Sequence, residues 1–479
     1  MFIKKTADPA FDIDAPVRKD DSVRDYQYYS YHAVQPNLRS RIELQVQDTS
    51  KYFLPCEAFI EIEGELVTNV AADTPYANEA NVRVGFVNNG IMALFESARY
   101  LIDGKEIESI DREVDVATTI IGLARYSDDY TRSAGPSMMF AKDTSDNADH
   151  FQYIKVLTPH GIAVADQGVA NPERRAKPAG VNPFDIMRDV YSKFNLGFAT
   201  RKGALQGERG QFSCAIPLHH IFGFCRNVRK VIYGAKHTVA LVRKGNDNDA
   251  IWRDNGVSDG KVILTKLVLW MPVMTPSITT EERLLSFMDT GGKSLLSWLT
   301  TTTDAKEDNV NGTFTWHLAS KQGVSAPRHI FVALQNRDRL GSQLHSHMIF
   351  DQLGVSEVSL RINGQQEPSE DIQLDYNSNH IARVYHRMLS YMGRDQNVDT
   401  GLQISQLDFK SLYPIYYFSL EHLDLTRQSV VDIHFRARIQ RPVGIDNYRA
   451  IAVILSDKSM LLEGVGGRMR LIDAPFENL

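Results

Sequence analysis

The chain has 479 residues, 43% hydrophobic and 23% charged, and its 53 Lys+Arg against 59 Asp+Glu leave a formal net charge of −6. That composition is globular and excludes disordered or collagen-like chains. Basic residues are dispersed and no run of eighteen apolar residues occurs, so neither strong direct nucleic-acid binding nor a membrane span is expected.

Residues 1–38 mix both signs of charge, and Lys4, Lys5, Asp8, Asp12 and Asp14 interrupt any signal-peptide core. This stretch is expected to be an N-terminal arm of a chain made inside a host cell and not secreted. Three widely spaced cysteines, Cys56, Cys214 and Cys225, point to a reducing compartment without a disulfide framework.

Period-two alternation then dominates. Arg41 to Gln47 (RIELQVQ) sets Ile42, Leu44 and Val46 against Glu43, Gln45 and Gln47, the pattern of a half-buried antiparallel strand. A helix is predicted over Arg112 to Tyr126, with Val114, Ala117, Ile120, Ile121 and Ala124 on one side. Residues 133–210 are rich in Gly, Pro, Asp and Asn and read as a long surface insert, with one helix near Pro183 to Ser192. Val262 to Met271 and His329 to Leu334 are continuously apolar, as in strands buried on both faces. A short helix is predicted at Glu281 to Met288, opened by Thr279 and Glu282 as a capping box. Thr313 to Leu318 alternates after an Asn311-Gly312 turn, and Asp432 to Ile439 alternates again. Between them, a helix over Asn377 to Met392 places Ile381, Val384, Tyr385, Met388 and Met392 together. After Ser456, Gly464, Gly466 and Gly467 suggest a mobile tail.

Laid over each other, the halves repeat. Tyr100-Leu101-Ile102-Asp103-Gly104 matches Leu360-Arg361-Ile362-Asn363-Gly364, each a strand ending in a tight turn and followed by a long helix. Phe212 to Leu218 (FSCAIPL) matches Phe409 to Ile415 (FKSLYPI), read in both copies as a strand stopped by proline. Two further strands follow in each half, Lys236 to Arg243 and Val262 to Met271, then Ser429 to Ile439 and Tyr448 to Leu455. The offset falls from 260 (Gly104 to Gly364) to 197 (Phe212 to Phe409), leaving 63 additional residues in the first copy. The chain therefore reads as a tandem duplication of a β-sandwich. The expected division is an arm at 1–38, a first sandwich at 39–276, a linker helix at 277–292, a second sandwich at 293–456 and a tail at 457–479.

Candidate chemistry is sparse. His219 and His220 are adjacent and share no strand or helix face, which disfavours joint metal binding. His345 and His347 could share a strand face, yet no third ligand stands nearby in sequence. The acidic loop Gly245 to Asp254 lacks the sixth-position Gly and closing Glu of an EF-hand and reads as a turn between strands. Gly291-Gly292-Lys293-Ser294 ends like a phosphate loop, but Phe287 stands where its first Gly is required. Cys214 and Cys225 sit in apolar surroundings, and a carboxylate pair could meet only in the fold. No catalytic, cofactor-binding or metal residue is assigned, no cofactor is expected, and the chain is expected not to be an enzyme. Two fused sandwiches offer six wedge-like blocks when three chains associate, an outline that tiles a closed shell.

Ile216 to Asp254 (IPLHHIFGFCRNVRKVIYGAKHTVALVRKGNDNDAIWRD), followed by Gly260 to Pro276 (GKVILTKLVLWMPVMTP), resembles the double jelly-roll major capsid proteins of polinton (Maverick) elements and adintovirus-like animal DNA viruses. The resemblance implies an all-β chain of two tandem eight-stranded antiparallel jelly-roll sandwiches with short helices in loops. It further implies homotrimeric, pseudo-hexameric capsomers in an icosahedral virion around double-stranded DNA. The partners implied are further copies of the chain and penton or minor capsid proteins. The family supplies no catalytic residues to carry over, and the insert at 133–210 departs from its minimal layout. The competing expectation is a carbohydrate-binding or carbohydrate-active β-sandwich, for which Trp252, Trp270, Trp298 and Trp316 are the candidate platform, with Trp270 and Trp316 expected in the core.

Overall fold

The computed structural model describes residues 22–35, 38–68, 83–146, 148, 153–158, 161–166, 195–207, 209–318, 326–393, 401–423, 431–465 and 468–473. The first half contains β1 (Val23–His32), β2 (Arg41–Val46), β3 (Tyr52–Phe53), β4 (Phe59–Thr68), β5 (Val84–Phe86), β6 (Phe95–Ile102) and β7 (Lys105–Ile110). It continues with β8 (Tyr153–Thr158), β9 (Gly161–Asp166), β10 (Gln211–Pro217), β11 (Ile232–Tyr233), β12 (His237–Arg243), β13 (Ile251–Arg253) and β14 (Gly260–Pro276). The second half contains β15 (Lys293–Asp308), β16 (Gly312–Leu318), β17 (Pro327–Asn336), β18 (Val355–Ile362), β19 (Gln365–Gln373), β20 (Ile415–Ser419), β21 (Ile433–Ile439), β22 (Tyr448–Val465) and β23 (Arg468–Asp473).

Two antiparallel sheets face each other in each half. In the first, β1, β14, β4 and β10 lie side by side opposite β2, β12, β6 and β7; in the second, β15, β22, β17 and β20 lie opposite β16, β21, β18 and β19. Taken in chain order the two sets correspond strand for strand, and each is an eight-stranded jelly roll. Extra strands extend each copy: β3 and β11 continue the first roll's sheet and β23 pairs with β22.

Alternation places the cores. Ile42, Leu44 and Val46 of β2 are fully buried, as are Phe314, Trp316 and Leu318 of β16, because every second side chain of a strand faces the opposite sheet. The buried hydrophobic residues of the two rolls run together as one cluster, so the cores of the two sandwiches are continuous. The predicted helices occur at Val114–Arg125, Ala382–Ser390 and Ile278–Asp289. Ser277 stands at the N-cap of the last and makes no side-chain cap bond, so the Thr279/Glu282 capping box does not form.

Several boundaries differ from the sequence reading. Residues 23–32, expected within the arm, form β1 and pair with β14 from Val23↔Pro276 to His32↔Val268. The expected tail continues β22 to Val465 and returns as β23. Gly464 is there for closeness rather than mobility: a Cβ would lie 2.4 Å from the Met288 Cα. The ends of the 133–210 insert are not a surface excursion, since Phe140, Asp143, Phe198 and Arg201 are all buried; the helix expected at Pro183 to Ser192 lies outside the described residues. The proline match is out of register. Phe212 to Pro217 lies in β10, whereas Phe409 sits in the helix Gln406–Ser411 and Pro414 precedes β20. Proline lacks an N–H and marks either end of a strand, so its two occurrences aligned a strand end with a strand start.

Candidate functional site

The two rolls meet along a seam where buried charges and backbone groups pair across the duplication. On one side, β7 and the helix Gly223–Asn227 lie against β15. The Glu108 carboxylate, fully buried, accepts from the Phe224 N–H at 2.8 Å and from the Thr301 N–H of the second roll at 3.2 Å. Burial pushes its pKa up, and the backbone donors and Arg226 only partly offset that. Asn227 Oδ1 accepts from the Leu299 N–H at 3.3 Å, and Phe224 meets Trp298 edge-on at 5.1 Å. Gly223 permits the approach: a Cβ there would lie 1.7 Å from the Leu299 carbonyl oxygen. Lys458 Nζ donates to the Ile107 carbonyl at 2.6 Å, and Arg449 pairs with Glu113.

The other side is built from loops. Lys244 Nζ lies 2.8 Å from Asp115 and 2.9 Å from Asp249, while the other Asp249 oxygen accepts from the Gly341 N–H of the second roll at 2.7 Å. Burial raises the Asp115 pKa, but Lys244 and His347 outweigh it and hold the carboxyl well below its ordinary range; the two carboxylates correspondingly raise Lys244 against the effect of burial. Arg339 grips Asp146 with two bonds of 2.9 and 2.7 Å and also binds Asp351. Arg201 pairs with Asp143, which accepts from Asn195 at 3.0 Å and whose N–H donates to the Tyr413 hydroxyl at 2.7 Å. Gln343 exchanges two 2.8 Å bonds with the backbone of Gly260. An open cleft of about 530 Å³ beside the seam is lined by Arg112, Glu113, Asp304, Glu307 and Arg449 among others.

Chemically this is a fastening. The buried carboxylates Glu108, Asp115, Asp143 and Asp249 are each engaged by a cation or by backbone donors of the seam. Glu113, Asp115 and His347 bring one donor atom each within 4.8 Å, but Lys244 and Arg449 already supply the positive charge there.

The residues singled out in sequence scatter. His220 is buried and neutral: its Nδ1 lies 2.7 Å from the Tyr126 hydroxyl and its Nε2 3.2 Å from Asn89 Oδ1. Burial, with Arg226 nearby, lowers its pKa to about 3, and burial with Arg125 lowers that of His219 to about 4. His345 is exposed whereas His347 is buried against Asp115 at 3.4 Å, so the pair does not converge. In the acidic loop, Asp247 pairs with Arg243 and Asp249 with Lys244. Gly291 turns with φ +67° after the helix Ile278–Asp289, and Lys293 pairs with Glu463. All three cysteines are unpaired, Cys214 and Cys225 in the core. Trp252, Trp298 and Trp316 are buried; Trp270, expected in the core, is half-buried and donates to Glu61 at 2.7 Å. Sequence reading missed the seam, because its partners stand some 70 to 350 positions apart and carry no local spacing.

A family profile described as "Double jelly roll-like domain" matches residues 195–458. Among solved structures, the chain is similar to one of the Sputnik virophage (TM-score 0.55, 11% identity, covering 100% of this chain and 94% of that one). It is also similar to the Faustovirus major capsid protein (TM-score 0.52, 9% identity, 94% and 92%). No curated protein matches its sequence. The profile takes in more than half of the chain and runs from the end of the insert through the second roll, and with two rolls of one topology the chain belongs to the double jelly roll-like domain family.

Proposed function

We propose that this chain is a major capsid protein of a double-stranded DNA virus or an integrated polinton-like element. In this reading it has a structural, non-enzymatic role in the virion. Three copies associate as a pseudo-hexameric capsomer, and capsomers tile an icosahedral shell with penton and minor proteins at its vertices. That its structural neighbours come from viral particles supports the capsid role.

One observation carries the association. Within the chain, β7 and the helix Gly223–Asn227 of the first roll cover β15 of the second. The strand equivalent to β15 in the first roll is β1, and the strand equivalent to β7 in the second is β19. Among the described residues both equivalents are less covered: β1 is exposed over most of its length, with Tyr26, Tyr28 and Tyr29 at 38, 42 and 38% exposure, and β19 is exposed or half-buried at all positions but one where β7 is mostly buried. Repeating the internal interface between chains sets β19 of one copy against β1 of the next. Such a head-to-tail contact closes on itself when three chains contribute six rolls. An edge strand rich in exposed tyrosine is also a costly feature for a monomer to leave uncovered.

Light scattering on the purified full chain, with negative-stain microscopy, tests the proposal. The expected result is a particle of three chain masses with a near-hexagonal outline. A monomer at every concentration and salt condition would overturn it.

A further inference from the structure

The outward face of the β16–β21 pair carries three donors side by side. His317 and His434 stand directly opposite each other across the ladder, with ring centroids 4.8 Å apart. Asp432, two residues before His434, lies on the same side. Its Oδ1 is 2.9 Å from His317 Nε2 and 3.1 Å from His434 Nε2, and one donor atom of each residue lies within 4.8 Å of the other two. Bonds of about 2.1 Å around a tetrahedral ion require donors about 3.4 Å apart, which small side-chain rotations reach from this arrangement. The side chains of His317, Asp432 and His434 are 61, 48 and 37% exposed, so further coordination positions open outward.

The backbone that carries Asp432 is held from behind. The Asp432 N–H donates to Asn363 Oδ1 at 2.8 Å, and its carbonyl accepts from the Asn363 N–H at 2.9 Å. The first roll repeats this frame without the ligands. There Gln45 faces Thr238 across the β2–β12 ladder, and Lys236 takes the place of Asp432 beside Asp103. The scaffold thus needs neither the imidazoles nor the carboxylate, yet the second roll presents all three together. A carboxylate seeking one hydrogen-bond donor is served by one imidazole; two imidazoles with one carboxylate form the donor set that suits zinc, nickel or copper and not magnesium or calcium. Arg361 stands across from His434 on β18, a positive charge that limits the affinity.

We propose that His317, His434 and Asp432 form a binding site for a divalent transition-metal ion, with its remaining positions open to water or to a donor outside the chain. The site lies within one chain and stands independently of the capsid reading.

Calorimetric titration of the chelator-treated full chain with Zn²⁺, with Ni²⁺ and with Mg²⁺ tests it. The expected result is saturable binding of Zn²⁺ and Ni²⁺ but not Mg²⁺, weakened about tenfold or more, ~1.4 kcal/mol, in His317→Ala and in His434→Ala. Zn²⁺ should also raise the melting temperature of the unsubstituted chain and not that of the variants, whose metal-free melts report that they fold. Zn²⁺ binding unchanged in the double variant, or no binding of Zn²⁺ or Ni²⁺ up to about 1 mM, would overturn the proposal.

Discussion

Asn363 and Asp432 exchange two hydrogen bonds, the Asn363 N–H donating to the Asp432 carbonyl at 2.9 Å and the Asp432 N–H to Asn363 Oδ1 at 2.8 Å. Asp103 and Lys236 make the same exchange in the first roll, both bonds at 2.8 Å. Each lock ties the turn of one hairpin to the start of the neighbouring strand. Asp103 and Asn363 hold φ of +50° and +49°, and Gly104 and Gly364 follow at +79° and +82°, a backbone that Asp, Asn and Gly tolerate and β-branched residues do not. Asn363→Ala and Asp103→Ala each lose an acceptor and the residue suited to positive φ, and are expected to cost about 1–2 kcal/mol. The two share no partner, so the double variant should shift the urea midpoint by the sum.

Gly223→Ala is a sharper test of the seam. Its Cβ would fall on the Leu299 carbonyl oxygen, which belongs to strand backbone and cannot rotate aside. Overpacking of this kind is expected to cost about 3 kcal/mol or more. The measurement is thermal unfolding with limited proteolysis, the expected new cleavage falling in the helix Ile278–Asp289 between the rolls.

Half of this architecture was legible before any coordinates. Alternation located β2, β16 and β21, because a strand with one buried face writes its period into the sequence. The Asp103-Gly104 and Asn363-Gly364 turns aligned the halves correctly, since positive φ restricts residue choice. The FxxxxP match misaligned them, because proline is compatible with both ends of a strand. β1 escaped notice for a physical reason: DYQYYSYH has no aliphatic residue, and of its side chains only Tyr31 packs against the core while most of the strand is exposed. The seam was invisible because ion pairs such as Lys244–Asp115 are a property of the docked rolls and not of any local run.

Lys244 bridges Asp115 and Asp249. Lys244→Met leaves two buried carboxylates facing each other and is expected to destabilise by about 3–5 kcal/mol. Adding Asp115→Asn removes one of the stranded charges, so the double variant should be more stable than the sum of the singles predicts. Denaturant unfolding of all four proteins gives the coupling energy; strict additivity would remove the pair from the list of seam fastenings.

Acid should loosen the first roll. Burial holds His237, and burial with Arg226 holds His220, at a pKa of about 3, below the ordinary imidazole value of 6.5. A depressed histidine binds its proton more readily in the unfolded chain, so the stabilisation is complete above about pH 6.5 and is lost as pH falls toward 3. Each group contributes a slope approaching about 1.4 kcal/mol per pH unit inside that window. His237 Nδ1 is bonded to the Tyr100 hydroxyl at 2.7 Å, and His237→Phe keeps a ring of similar shape without the titrating nitrogen. Its unfolding free energy should be lower at pH 7 and fall less steeply between pH 6 and 4, as read by urea titrations at stepped pH.

The bare edge of β1 distinguishes assembly from folding. Tyr28 faces the side of Phe59, 5.7 Å away, while Tyr29 lies on the opposite side of the strand under Lys51 at 3.7 Å. Neither belongs to the buried core, so Tyr28→Asp and Tyr29→Asp should leave the melting temperature of the isolated chain within about 0.5 kcal/mol equivalent of the parent. At an interface between copies, the same aromatic side chains would act as anchors worth about 2 kcal/mol each. The expected outcome is a protein that folds normally but sediments as a monomer at concentrations where the parent forms the proposed trimer, and that builds no shells. Thr313→Asp, on the exposed face of β16 and away from both bare edges, serves as the control that should assemble like the parent. If the tyrosine variants assemble as well as that control, β1 is not the strand on which neighbouring copies close.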